Sequence, residues 1–143
     1  MSWSDSLIRI STYEVDERQK RLKEILDRQD LAEQQIDTID LEAEEEKLRA
    51  SVDPSVAWCH PDYVKAWKLR RARLEAQLTA INLEAEGARD ALAEAYESLK
   101  KVEHVAELAR LEQARTELRI ENAGLDEIAL RDSHNRRQLK RRG

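Results

Sequence analysis

The sequence predicts an all-α fold: an antiparallel two-helix coiled-coil hairpin with a longer second helix. Three observations carry this expectation. Both prolines, Pro54 and Pro61, fall in one short window, and almost nothing on either side would stop a helix. The composition is 38% charged, with no Phe and abundant Ala, Leu, Glu, Arg and Lys, which is the profile of long helices. The 41% of apolar residues is too many for a disordered acidic chain, and they recur at steps of three and four.

The first helix is expected over about residues 4–50. Its apolar stripe is Ile8, Val15, Leu22, Ile25, Ala32, Ile36, Ile39 and Ala43, with Arg18, Gln29 and Glu46 as polar layers in phase. The corner is expected over residues 51–62. Proline lacks an N–H, crowds the preceding helical turn and pushes the residue before it out of the α region. The second helix is expected over about 62–134, followed by a basic tail over 135–143. Its stripe is the stronger one: Val64, Trp67, Leu74, Leu78, Ile81, Ala85, Ala88, Leu92, Ala95, Leu99, Val102, Ala106 and Ala109, interrupted only by Arg71. A repeat of 3.5 residues held this long is a left-handed coiled-coil seam.

If the chain doubles back near Val56, facing residues have numbers that sum to about 112 in the antiparallel arrangement that a short connection imposes. Ile36 then meets Leu74 and Leu78, Ile25 meets Ala85 and Ala88, and Ile8 meets Val102 and Ala106. Large residues oppose alanines, which lets the backbones approach without voids. A parallel homodimer of extended chains is the alternative.

The same rule says the first helix runs out opposite about Leu108, yet apolar residues continue: Leu108, Leu111, Leu118, Ile120, Leu125, Ile128 and Leu130. The stripe changes phase between Ala109 and Leu111. Four or five leucine-class side chains, each worth roughly 1.5–3 kcal/mol when buried, would bind a second protein strongly. The other reading of this overhang is that it bends back or frays.

Enzyme chemistry finds no support. A two-helix rod has no concave pocket in which two carboxylates could titrate apart, and no phosphate loop or nucleophile motif is present. Cys59 and His60 are adjacent but have no second ligand pair nearby, so no metal site and no cofactor is expected. Asp53-Pro54 reads as an N-cap with proline at the first helical position, and Trp58, Tyr63 and Trp67 are expected to cluster at the tip. No apolar run is long enough to span a bilayer, and the start lacks the basic and apolar regions of a secretory signal, so the cytosol is the expected compartment.

The net charge of −5 is uneven. Residues 1–60 carry 8 Lys/Arg against 15 Asp/Glu, whereas 61–143 carry 17 against 15. The cations Arg136, Arg137, Lys140, Arg141 and Arg142 suit docking to an acidic protein surface; without interleaved aromatics they argue against nucleic acid.

Leu125-Asp126-Glu127-Ile128-Ala129-Leu130-Arg131, behind a long charged helix, resembles the flagellar export protein FliJ family, as does Asp62-Tyr63-Val64-Lys65-Ala66-Trp67-Lys68-Leu69-Arg70-Arg71 at the start of the second helix. The resemblance implies a non-catalytic cytoplasmic coiled coil, similar to the central stalk of rotary ATPases. It would dock in the flagellar export ATPase ring and link that ring to the membrane export gate and to export chaperones, at the cytoplasmic face of the inner membrane. Carried onto this chain, the partner-binding residues are Leu108, Leu111, Leu118, Leu125, Asp126, Ile128, Leu130 and Arg131. A general homodimeric coiled-coil scaffold is the competing reading.

Overall fold

A computed structural model describes residues 2–142, which form two helices, α1 (Trp3–Val52) and α2 (Pro54–Arg142). Ser2 caps α1: its hydroxyl accepts the Asp5 N–H at 3.3 Å, and its carbonyl accepts the Ser6 N–H at 3.3 Å. Asp5 then sits in the first turn, where the helix dipole favours a carboxylate.

The corner is tighter than the expected 51–62 window, because it consists of Asp53 alone. The Asp53 N–H still bonds the Arg49 carbonyl at 3.0 Å, and the Asp53 carbonyl already accepts the Ala57 N–H at 3.0 Å. Its carboxylate caps α2 by accepting the Ser55 N–H at 3.0 Å and the Ser55 hydroxyl at 2.7 Å. Pro54 is therefore the first helical residue, where its missing N–H leaves no bond unmade. Pro61 lies inside α2, not at its start. Eighth in the helix and so past its first turn, it withholds one N–H from the carbonyl of Ala57 and leaves α2 one intrahelical bond short. No described residue has a positive φ, so the turn needs no left-handed glycine.

Two compact units are distinguished. The first, residues 10–98, is an antiparallel helical hairpin. Its cross-helix partners are Gln19 with Tyr96, Arg28 with Glu84, Gln29 with Asn82, and Asp40 with Trp67 and Arg71. Their numbers sum to about 107–115, which is the expected antiparallel register. Val15, Ile25, Ala32, Ile36 and Ile39 of α1 are buried, as are Ala85 and Ala95 of α2. The rest of the α2 stripe within the unit, from Val64 to Leu92, is half-buried, and so is Arg71. The fully buried side chains are mostly branched on α1 and are alanines on α2, and small residues at such positions let the helices close.

The second unit comprises residues 2–9 with 99–142 in its described part. Ile8, Leu99, Val102, Ala106 and Ala109 are half-buried there, and every residue from 110 to 142 is exposed. This stretch gains nothing from tertiary burial. Its helix is supported by local pairs: Glu107 with Arg110 at 2.6 Å, Glu127 with Arg131 at 2.9 Å, and Gln113 with Glu117 at 3.3 Å. The helix continues to Arg142, through the residues expected as a separate tail.

Candidate partner-binding face

The eight residues singled out in the sequence all lie on α2 in the second unit, and all are exposed; the six apolar ones are 42–72% accessible. At about 100° per residue, Leu111, Leu118 and Leu125 fall within about 40° of one another, with Leu108 about 60° to one side and Ile128 about 60° to the other. Leu130 lies about 140° from Leu125 and points elsewhere. Asp126 is about 100° from Leu125, and Arg131 is held by its own ion pair with Glu127.

Ala114 belongs to the face and was not singled out. Leu111, Ala114, Leu118, Glu121, Leu125 and Ile128 step by three and four and so form a second heptad stripe. That alternation was the sequence signal for Ala114, but alanine is too small to stand out in a search for large apolar residues. The first stripe on the same helix ends with Val102, Ala106 and Ala109; continued, it meets Gln113, Thr116, Ile120, Ala123 and Glu127, which cannot make an apolar seam. The two stripes lie about 150° apart around the helix.

Electrostatics along α2 are local. Arg110 holds the Glu107 carboxyl below its usual range, chiefly through their hydrogen bond, and the arginine is raised in turn. Beyond the apolar stripe, a shallow groove is bordered by Ala129, Asp132, Arg136, Arg137, Leu139 and Lys140. Among the described residues no group of His, Cys, Asp or Glu could hold a metal ion, and no helix is long and apolar enough to cross a membrane.

The corner carries a second concave feature within the hairpin unit, a cleft of about 390 Å³ lined by Asp40, Lys47, His60, Tyr63, Trp67 and Arg71 among others. The aromatic cluster expected there is corrected by the structure. Tyr63 and Trp67 take part, but Trp58 is 87% exposed, and His60 stacks on Tyr63 with ring centroids 6.4 Å apart. Because α2 begins at Pro54, Trp58 falls on the outer side of its first turns and His60 on the inner side.

A family model described as "Flagellar FliJ protein" matches residues 5–138. The curated "Flagellar FliJ protein" of each of two Caulobacter vibrioides strains is 46% identical over 129 residues, covering 90% of this chain and 93% of the relative. No solved structure matched the chain.

Proposed function

The chain belongs to the flagellar FliJ family and so to the flagellar protein-export apparatus, and on that premise we propose that it is a non-catalytic stalk and adaptor. In this reading α2 docks in the ring of the export ATPase through Leu108, Leu111, Leu118, Leu125 and Ile128, with Asp126, Leu130 and Arg131 at the margins. The hairpin links the ring to the export gate and to chaperones at the cytoplasmic face of the inner membrane. The observation that supports the reading is the second heptad stripe. A fully exposed helix bearing leucines at coiled-coil spacing has its binding surface formed before any partner arrives.

Burying the remaining exposed half of a leucine contributes about 1 kcal/mol or more. Leu118→Ala with Leu125→Ala and Ile128→Ala should therefore weaken binding to the export ATPase by about a hundredfold in titration calorimetry, while thermal stability stays within about 0.5 kcal/mol. Ile120→Ala, off the stripe and 67% exposed, should bind as wild type. Undiminished affinity of the triple variant would remove the docking surface. Sedimentation of a stable dimer at micromolar concentration would favour a homodimeric scaffold.

A further inference from the structure

We propose that Asp40, Trp67 and Arg71 form a register lock, a polar layer in the hairpin seam that selects one alignment of the two helices. Arg71 occupies the seam position between Trp67 and Leu74 where the repeat calls for an apolar side chain. Facing it, Asp40 is half-buried and accepts from two donors one turn apart on α2. Its Oδ1 takes the Trp67 Nε1–H at 3.2 Å and the Arg71 Nε–H at 3.0 Å, and its Oδ2 takes Arg71 Nε–H at 3.2 Å. Arg71 also reaches Glu75, and together these carboxylates hold its pKa above the ordinary value, with the Asp40 hydrogen bond the largest cause.

Apolar layers alone choose weakly between registers, because moving the corner about three or four residues away from Asp53 slips the seam by one heptad and again sets apolar side chains against apolar ones. The polar layers do choose. A slip in one direction sets Asp40 against Leu74 and Leu78 and brings Arg71 beside Lys47. The reverse slip removes Asp40 from both donors and leaves it only His60. Gln29, which donates to Asn82 at 2.5 Å, acts in the same sense: either slip sets Asn82 against Ile36 or Leu22. Leaving a half-buried carboxylate without donors is costly, while its satisfied form adds little net stability, and that asymmetry is what makes a polar layer discriminate between alignments.

The test places nitroxide labels at Lys23→Cys and Ala76→Cys in a Cys59→Ser chain and reads their separation by pulsed electron resonance. The two sites are staggered along the hairpin, so a one-heptad slip alters the distance by most of the roughly 10 Å that seven helical residues rise. The unaltered seam and Asp40→Asn, which keeps the Oδ1 acceptor, should each give one distance. Asp40→Leu with Arg71→Leu should give a second population displaced by several Å while remaining helical. A single unshifted distance in that double variant overturns the proposal. Should it fail to fold, the exchanged pair Asp40→Arg with Arg71→Asp decides: one native distance supports the lock, and a broad distribution overturns it.

Discussion

Replacing Ile25 by alanine tests the packing on which the hairpin unit depends. Ile25 is 2% exposed and shares a groove of about 230 Å³ with Arg18, Arg21, Glu84, Gly87, Ala88 and Ala91, so no large apolar side chain of α2 lies there to fill the space left behind. Three carbon groups disappear, which forfeits about 2.4 kcal/mol of transfer energy at about 0.8 kcal/mol per group. A residual void of about 40–80 Å³ adds about 1–2 kcal/mol. The expected loss is therefore about 3.5–4.5 kcal/mol, read as a fall of about 10–15 °C in the melting midpoint followed by circular dichroism. Adding Ala88→Leu returns volume to the same groove from the other helix and should recover a substantial part of the loss. Leu31→Ala, 55% exposed on the same helix, should cost no more than about 0.5 kcal/mol. If Ile25→Ala and Leu31→Ala prove equally mild, or Ala88→Leu gives no recovery in the Ile25→Ala background, the seam is not packed as described.

Gly87→Ala should stabilise the chain by about 0.5–1 kcal/mol in urea titration, since the position is helical and an added Cβ would meet nothing within 4 Å. Asp53→Ala should lower the melting midpoint by removing the cap of α2, and Asp53→Asn should lower it less, because an amide oxygen still accepts from Ser55. The Arg28 hydrogen bond, at 2.8 Å, holds the Glu84 carboxyl below its usual range, so this pair contributes above the unfolded carboxyl pKa of about 4.3 and the contribution fades as pH falls through the lower folded value. Melting midpoints measured downward from pH 5 should fall less steeply in Glu84→Gln.

The seam was legible residue by residue. Each apolar position expected from Val64 to Ala109 is buried or half-buried, and the cross-helix bonds follow the expected sum, because a 3.5-residue period is written locally in the chain. The corner was less legible. Two prolines seven residues apart look like one long break, although Pro54 takes the first helical position and Pro61 lies within the helix, and only the hydrogen bonds to Asp53 show that the turn is one residue long. Asp40 was not legible at all as a seam residue: on α1 it reads as one more carboxylate on an acidic helix, and its donors, Trp67 and Arg71, lie on the other helix. Of the expected partner face, Leu111, Leu118, Leu125 and Ile128 share one side of α2 by heptad spacing, while Leu130 lies about 140° from Leu125 around the helix.

The change of phase after Ala109 has a physical consequence for partner choice. Had the first stripe continued unrotated, residues 99–142 would present a single seam, and any helix able to pair with Val102 and Ala106 could extend along it or compete with Ile8 for it. Instead Gln113, Thr116 and Glu127 occupy that line, while the leucines move about 150° around the helix. A partner that buries Leu111, Leu118 and Leu125 approaches from the side away from Val102 and Ala106, and binding then requires no opening of the half-buried layer around Ile8. On the proposed reading, specificity would follow from the same arrangement: polar residues on the line of the first stripe separate it from the leucine stripe, so a partner seated on the leucines would not compete with Ile8 for Val102 and Ala106.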